Sequence, residues 1–452
     1  MSQTKAQLIA ADATFTISSD ASFNSVTVGK GANSVANNTV LGAGALDAAV
    51  TGNNNLAVGK DALTSHTSGS NVTAVGAFAL DANTTASNNS AFGYGSLGSN
   101  TTGTQLTAVG VNALTSNTTG NYNIATGHSA LSSNTTGQFN CAFGRVALTN
   151  NITGNYNNAF GDSALETNTG SNNSAFGYQA LEANTSATNN VAVGYQALKA
   201  NTTGHTNVAV GASALDANTT GNFNFALGKD ALGANTTGSV NVAIANCLTS
   251  NTTGESNVSI GSNTLGDNTS GSQNVAVGRQ ALGDNTTADA NTAIGHNSMF
   301  LNTTGTRNTA LGALSLDSNT TANDNTAIGH AALGNNTTGH SNTAVGRGAC
   351  SANTTANFNV GVGFFALLNA NTGFSNTAIG YTSQQECTGG NNNTSIGRET
   401  LYTNTLADRN VAIGYRSLYL TNQTSSVDTY NVGCGNESLY SNTTGIQNTA
   451  IG

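Results

Sequence analysis

Residues able to do chemistry are few in this chain and are not grouped. Its 452 residues include 21 acids, 12 Lys and Arg, six His and five Cys. Charged residues amount to 7 % of the chain, whereas ordinary soluble proteins contain about 25 %. Neither a Ser-His-Asp signature nor the periodic Asp of calcium-binding repeats is recognisable. The sequence therefore predicts a protein that is not an enzyme and uses no cofactor.

The histidines and cysteines lack the spacing of metal ligands. Each histidine lies apart from the others, and no C-x-x-C motif occurs. Because the number of cysteines is odd, buried free thiols are a better interpretation than disulfides or zinc ligands. We expect no metal site at any of the following: His66, His128, His205, His296, His330, His340, Cys141, Cys247, Cys350, Cys387 and Cys434.

Charge and hydropathy exclude two further classes of protein. The net charge is −9 and the isoelectric point is near 4.9, whereas nucleic-acid binding needs a basic face. No run approaches the roughly 18 apolar residues of a membrane-spanning helix. We therefore expect neither a nucleic-acid partner nor membrane insertion.

One motif organises almost the whole chain. It reads Asn-x-Ala-(Ile/Val/Phe)-Gly, two variable residues, Ala-Leu and then Asn-Thr-Thr-Gly. The glycine that ends its first part, here called the marker glycine, recurs from Gly29 to Gly452, with Ala245 in one place. Of the 25 intervals between markers, 21 are 17 residues long. Such regularity is typical of a solenoid.

The period and composition select the kind of solenoid. Seventeen residues are too few for a two-helix repeat, and β-branched residues followed by Asn, Thr and Gly indicate a short strand and a turn. The predicted fold is an all-β parallel β-roll, or β-solenoid, of about 25 short coils. At about 4.8 Å per coil these coils form a rod of roughly 120 Å. Residues 1–24 lack the repeat and are expected to be an N-terminal attachment or capping segment, with the rod spanning 25–452.

Alternation along the strand predicts which side chains are buried. The apolar residue before each marker, such as Val58, is expected to point into the core, and the small residue before it, such as Ala57, to face a tight contact. The leucine four places after the marker is the second core residue, and Cys350 and Cys434 fall on core positions. The last glycine of Asn-Thr-Thr-Gly is expected to have a positive φ. So few large apolar side chains per coil favour association of several chains.

The position after the marker glycine holds a marked excess of cations and aromatics. Seven of the 12 Lys and Arg occupy it. In a stack these side chains form one longitudinal row, which is either a solvated row that keeps the protein soluble or a contact strip for a glycan or another surface. The candidate surface-contact row comprises Tyr94, Arg145, Tyr178, Tyr195, Lys229, Arg279, Arg347, Tyr381, Arg398 and Tyr415. Aromatic ladders are also expected at Tyr122, Phe139 and Tyr156 and at Tyr402, Tyr419 and Tyr440.

The strings Asn-Thr-Ala-Ile-Gly at 325–329 and 376–380 resemble the head repeats of YadA-type trimeric autotransporter adhesins, over about residues 25–452. The resemblance implies a left-handed parallel β-roll built by three chains, and an adhesive surface structure. The family repeat is shorter, near the 13-residue spacing of Gly29 and Gly42. The export signal, stalk and membrane anchor of that family are not recognisable. Residues 1–9 resemble the start of structural fibre proteins of marine tailed phages, which often carry such repeats.

Together these observations predict a homotrimeric structural or adhesive fibre on a virion or extracellular surface, contacting a glycan or protein receptor or acting as a spacer. Without a recognisable signal peptide, assembly in the cytoplasm and release by lysis are favoured. One alternative is a self-assembling extracellular filament that grows end to end, since the chain stops within a repeat at Gly452. Another is an ice-binding β-solenoid, although the paired Thr fall in turns. Core positions five and 12 residues apart do not match the six-residue period of left-handed-helix acyltransferases.

Overall fold

The computed structural model describes residues 20–452 and contains no α-helix within that range. Its short strands pair in parallel, one per 17-residue repeat, so each repeat is one turn of a β-solenoid of about 24 turns. The predicted fold class is confirmed at this level. Of the predicted N-terminal segment, residues 1–19 lie outside the described residues.

The chain forms two compact units, which divide between Asn189 and Asn190. The first contains β1 Ala21–Phe23, β2 Val26–Gly29, a 3-10 turn Ala32–Ser34, β3 Thr39–Gly42, β4 Leu56–Val58, β5 Thr73–Val75, β6 Ser90–Phe92, β7 Thr107–Val109, β8 Ile124–Thr126, β9 Cys141–Phe143, β10 Asn158–Phe160 and β11 Ser174–Phe176.

The second unit continues with β12 Val191–Val193, β13 Val208–Val210, β14 Phe225–Leu227, β15 Val242–Ile244, β16 Val258–Ile260, β17 Val275–Val277, β18 Thr292–Ile294, β19 Thr309–Leu311, β20 Thr326–Ile328, β21 Thr343–Val345, β22 Val360–Val362, β23 Thr377–Ile379, β24 Thr394–Ile396, β25 Ala407–Asp408, β26 Val411–Ile413, β27 Val427–Asp428, β28 Val432–Cys434 and β29 Thr449–Ile451. The two-residue strands β25 and β27 form a small separate sheet.

Parallel stacking begins later than the sequence predicts. Strand β2 pairs antiparallel with β1 and with β3, and β3 is the first strand to pair in parallel with its successor. The marker Gly29 therefore lies in an antiparallel ribbon, which explains its 13-residue spacing from Gly42. By pairing with β3, this ribbon covers a strand edge that is otherwise open to association.

The predicted orientation of the strands was wrong. The small middle residue of each strand is buried, as at Ala57 and Ala74, which are 0 % exposed. The residue before the marker points outward instead, and Phe92 is 43 % exposed. The interior is narrow because the leucine four places after the marker glycine, such as Leu80 at 0 % exposure, already fills it. A methyl group fits opposite that leucine, so the larger residues of the strand face outward.

The leucine prediction is confirmed, including its exceptions. Met299 and Cys350 replace leucine and are fully buried. Gln384 also takes this position at 0 % exposure, where its Nε2 donates to Asn376 Oδ1 at 3.1 Å and its Oε1 accepts from Ser395 Oγ at 3.2 Å. That coil therefore has a hydrogen-bonded polar core, as its local departure from the repeat predicts.

Two ladders of buried asparagine fill the rest of the interior. In the turn ladder, Asn218 Nδ2 donates to Asn201 Oδ1 at 2.8 Å and to Gly221 O at 3.0 Å, while its Oδ1 accepts from Asn235 Nδ2. In the strand ladder, the Asn224 backbone N–H donates to Asn207 Oδ1 at 2.9 Å. An amide carries both donors and an acceptor, so identical asparagines satisfy one another between coils.

Backbone conformation in the turns is unusual for the residues involved. The core leucine is left-handed in coil after coil, with φ +53° at Leu215, a region that bulky residues rarely adopt. Marker glycines have φ near +140°, as at Gly211. The glycine ending Asn-Thr-Thr-Gly does not have the predicted positive φ. The approach between coils is close there, since a Cβ at Gly221 would lie 2.3 Å from Gly238 O. Ala86 and Ala288 occupy the same position in other coils and are buried, so the turn admits a small residue and not only glycine.

We predict that Asn218→Ala destabilises the second unit by about 1–3 kcal/mol, since the neighbouring amides and the Gly221 carbonyl lose buried partners. The measurement is the free energy of unfolding in urea. Thr220→Ala, an exposed change in the same turn, is the control and should stay within about 0.5 kcal/mol. Equal effects of the two variants would contradict a structural role for the ladder.

His66 replaces one asparagine of the turn ladder and is 0 % exposed. Its Nε2 donates to Gly69 O at 2.8 Å, and its Nδ1 accepts from Asn83 Nδ2 at 2.8 Å. The ring is therefore neutral, because protonated Nδ1 would face the Asn83 donor. Burial lowers the pKa of His66 below its ordinary 6.5.

Between about pH 6.5 and the lower pKa of the folded state, the unfolded chain therefore binds more protons at this site than the folded chain, so stability falls on acidification through that window. We predict that His66→Asn removes this loss, with a gain over wild type that widens from pH 7.5 to pH 5 by up to about 1.4 kcal/mol per pH unit. Unfolding midpoints at both pH values measure it, and exposed His205→Asn is the control. Parallel pH profiles for His66→Asn and wild type would refute the neutral-ring argument.

Candidate functional site

The structure exposes the residues of the candidate surface-contact row. Tyr94 and Tyr195 are each 54 % exposed, and the side chains of Arg145 and Lys229 are 61 % and 77 % exposed. Only Tyr415 among the ten predicted residues is half-buried. Because the parallel strands pair in register, equivalent positions of successive coils lie above one another within each unit.

Several cations of the row are already paired with acids. Arg145 makes a two-pronged contact with Asp162 one coil on, with Nε–Oδ2 and Nη2–Oδ1 distances of 2.9 Å. Lys229 Nζ lies 3.4 Å from Asp230 Oδ2 in the same turn. These contacts place opposite charges side by side along the stack. Because the paired cations are already neutralised, a solvated row is favoured over a binding strip at these positions.

In the second unit, five consecutive coils place the row residues in a continuous column. This cation–aromatic stack consists of Arg347, Phe364, Tyr381, Arg398 and Tyr415. The Arg347 guanidinium lies 5.8 Å from the Phe364 ring centre, and the Phe364 and Tyr381 rings stack at 5.4 Å. The Arg398 guanidinium then lies 5.5 Å from Tyr381 and 5.7 Å from Tyr415. Cations over aromatic faces attract the ring quadrupole, so the column is held along its length.

A second column runs beside this stack. Tyr402, Tyr419 and Tyr440, here called the tyrosine ladder, have ring centres 5.3 Å and 5.1 Å apart and nearly parallel planes. Between the columns lies a groove of about 310 Å³, the aromatic groove. It is lined by Phe364, Phe365, Tyr381, Thr382, Gln385, Glu399, Tyr402, Arg416 and Tyr419. The sequence identified both columns but not the space between them, which depends on the width of the turn.

Glu399 lies in this groove between two arginines and is 8 % exposed. Its Oε2 accepts from Arg416 Nε at 2.6 Å, and its Oε1 lies 2.9 Å from Arg398 Nη2. The Arg416 hydrogen bond, with Arg398 beside it, lowers the pKa of Glu399. The carboxylate is therefore ionised at neutral pH, and it fixes the position of both guanidinium groups.

A second hollow, of about 470 Å³, lies in the first unit. Phe78 and Tyr94 meet edge to face at 5.6 Å beside it. It forms because Gly95 and Gly98 stand at turn positions that carry side chains in other coils, next to Asp81. Burial raises the pKa of Asp81. In the sequence, this hollow is marked only by the pair Gly95 and Gly98, which lies outside the candidate surface-contact row.

The strand face is the surface that the sequence missed. It consists of the outward first and third residues of the parallel strands in each unit. They include Leu41 at 46 % exposure, Phe176 at 40 % and Leu311 at 44 %. In the first unit Phe143, Phe160 and Phe176 stack with ring centres 4.9 Å apart. None of the outward positions on the three-residue strands β4–β24, β26, β28 and β29 carries a charge.

The thiols are placed where they do little chemistry. Burial raises the pKa of Cys350 to about 12 and that of Cys387 to about 11, so the thiolate forms are negligible at neutral pH. Cys141 and Cys434 are half-buried at outward strand positions, which corrects the buried location predicted for both and the core position predicted for Cys434. Within residues 20–452 there is no group of three or more His, Cys, Asp and Glu able to hold a metal ion. Among the same residues no helix has the length and apolarity to cross a membrane.

No protein-family model matches the chain, and no curated protein matches it. The likeness to YadA-type head repeats therefore rests on the repeat residues themselves.

We predict that Glu399→Gln destabilises the second unit by about 1–2 kcal/mol at pH 7, because Arg398 and Arg416 lose a shared anion. Since the pKa of Glu399 is lowered from 4.5, its contribution is present above that pH and is lost as the pH falls below it. The difference from wild type in urea unfolding should therefore shrink on acidification below about pH 4.5.

The control is Asp324→Asn, which breaks the exposed Arg307–Asp324 pair with its 2.7 Å contact. An exposed ion pair is screened by solvent and contributes little to stability, so this variant should unfold close to the wild type. If both variants behave alike, the two-arginine cluster has no special structural role.

Proposed function

We propose that this chain is a self-associating structural fibre protein, a shaft with an adhesive or spacer role, and not an enzyme. The observation that carries the proposal is the strand face. Apolar residues recur at its outward positions in every coil, half-buried or exposed, and none of these positions carries a charge; Phe92, Ile294 and Leu311 are exposed examples. Extended exposed apolar patches on soluble proteins mark interaction surfaces.

A second copy of the same chain is the partner that this face fits best. Depletion of charge and enrichment in aromatic residues are features of the core of protein interfaces. The face is regular along each unit, so an identical copy presents the same spacing and can pair with it coil by coil. Covering this face also adds apolar burial that the alanine-rich interior lacks.

The number of copies and the location come from the resemblance to YadA-type head repeats and phage fibre proteins. On that basis we propose a homotrimer of left-handed β-rolls on a virion or extracellular surface, assembled in the cytoplasm and released by lysis. A receptor on another surface, a glycan or a protein, would meet the sides that remain uncovered. Repeated weak contacts on three chains would then add through multivalency.

One observation favours the ice-binding alternative. Thr292, Thr309, Thr326 and Thr343 are the outward first residues of four consecutive strands, so Thr is not confined to turns. The third residue of each of these strands is Ile, Leu or Val, which leaves a single Thr column beside an apolar one. A thermal-hysteresis assay separates this function from the fibre, which should show none.

We predict that the protein sediments at three times its chain mass of 45.1 kDa. A Leu311→Glu and Ile328→Glu variant, with two charges in the strand face, should sediment as a single chain, because burying unpaired charges opposes association. Analytical ultracentrifugation in native buffer measures both masses.

Val240→Glu is the matched control, since Val240 is 53 % exposed but lies outside the strand face. This variant should keep the mass of the wild type. A wild-type monomer would refute the proposal, and open-ended polymers in electron micrographs would favour the filament alternative.

A further inference from the structure

The aromatic groove differs from the rest of the second unit in having two aromatic walls. Tyr381 of the cation–aromatic stack stands on one side, and Tyr402 and Tyr419 of the tyrosine ladder stand on the other. Its volume of about 310 Å³ lies at the lower end of the range of small-molecule sites, about 300–1,000 Å³. It contains no residue of the strand face, so association through that face does not use it.

Between the walls, Thr382 supplies an independent sign of a missing ligand. Thr382 is 6 % exposed, and its hydroxyl Oγ1 is buried without a hydrogen-bond partner. A buried hydroxyl left unpaired destabilises a protein. Within residues 20–452 it is one of two buried side-chain atoms in this state, and Thr382 is among the residues that line the groove.

The polar groups around Thr382 are arranged for a ligand with hydroxyl groups. Gln385 brings an amide, and Tyr381, Tyr402 and Tyr419 bring aromatic bodies with phenolic tips. Arg416 is held by Glu399 at 2.6 Å, and Arg398 shares the same carboxylate. Glu386, whose charge acts on Tyr402, balances the positive charge that Glu399 leaves on the two arginines, so a neutral ligand is expected.

Other classes of ligand fit this groove poorly. A peptide strand needs a free backbone edge, but here the backbone is paired from coil to coil, as Thr382 N donates to Phe364 O at 2.9 Å and Glu399 N to Tyr381 O at 3.0 Å. A nucleic acid would be opposed by the net charge of −9. A pyranose ring presents C–H faces and hydroxyl groups together, which matches aromatic walls that carry polar groups.

We propose that the aromatic groove binds an oligosaccharide, with pyranose rings between Tyr381 and Tyr402 and a sugar hydroxyl bonded to Thr382 Oγ1. This inference rests on the adhesive form of the proposed function. It assigns recognition to one segment of the second unit, and it leaves the ion-paired parts of the contact row as solvated surface.

The test is a glycan array carrying neutral and uronate-containing oligosaccharides, probed with the full chain, followed by titration of the best ligand. Thr382→Phe should fill the groove, and the backbone accepts Phe there because Phe365 has φ +52° at the same position one coil earlier, against +48° at Thr382. Tyr402→Ala should remove half of the wall that Tyr402 and Tyr419 form. Each variant should weaken the affinity at least tenfold.

Thr382→Val tests the hydroxyl itself. It should bind the saccharide several-fold more weakly, while its melting temperature without ligand equals or exceeds that of the wild type. Tyr156→Ala is the matched control, an exposed ladder tyrosine of the first unit that stacks on Phe139, and it should bind as the wild type does.

Absence of glycan binding by the wild type, or equal affinity of Thr382→Phe and wild type, would overturn the inference. Sedimentation of the same samples keeps the two proposals apart. A trimer that binds no glycan refutes the groove and keeps the fibre, whereas a monomer that binds through the groove refutes the fibre and keeps the groove.

Discussion

Every other feature of this molecule depends on one constraint, the stacking of equivalent residues about 5 Å above one another. Ring centres along the ladders are 4.7–5.4 Å apart within each unit, close to the spacing of hydrogen-bonded strands. Each side chain must therefore tolerate its counterpart on the next coil. Asparagine does so by offering donor and acceptor to its own kind, and aromatic rings do so by stacking.

The same constraint explains the composition. A cation above a cation would repel, and Arg145 stands below Asp162 instead. Proline would remove a backbone donor from bonds that continue through the turns, as from Thr219 N to Thr236 O at 2.9 Å, and the chain has none. The left-handed core leucines are unfavourable locally. They persist because the buried leucine and the asparagine ladders around it hold the turn in place.

Sequence alone reached the period, the strand-and-turn coil, the core leucine and the aromatic columns, because these depend on spacing. It failed at the strand, where a three-residue alternation fits either orientation and the larger residues were assigned to the inside. The decisive quantity is the interior width, which is set by Leu80 and its equivalents together with buried Asn, and no residue pattern reports it. The sequence assigns Gly29 to the parallel repeat, but this glycine lies in an antiparallel ribbon, where a strand can end in the same residue. The aromatic groove could not be predicted from the sequence, because its two walls belong to different columns and their separation depends on the conformation of the folded turn.

Regular and irregular coils have different consequences for function. When the same residue type occupies a position in every coil, no part of the resulting surface differs from the rest. Such a surface is suited to pairing with another copy of the same chain. Recognition of one ligand needs a place that differs from its neighbours. In the second unit the residue types of the repeat, although not its 17-residue spacing, change between Phe364 and Tyr419. There Gln384 replaces the core leucine, Cys387 replaces a ladder asparagine and Glu399 lies between two arginines. Departures from the repeat weaken the ladder locally, and these three lie in the coils that carry the aromatic groove, which is where we propose that a ligand is recognised.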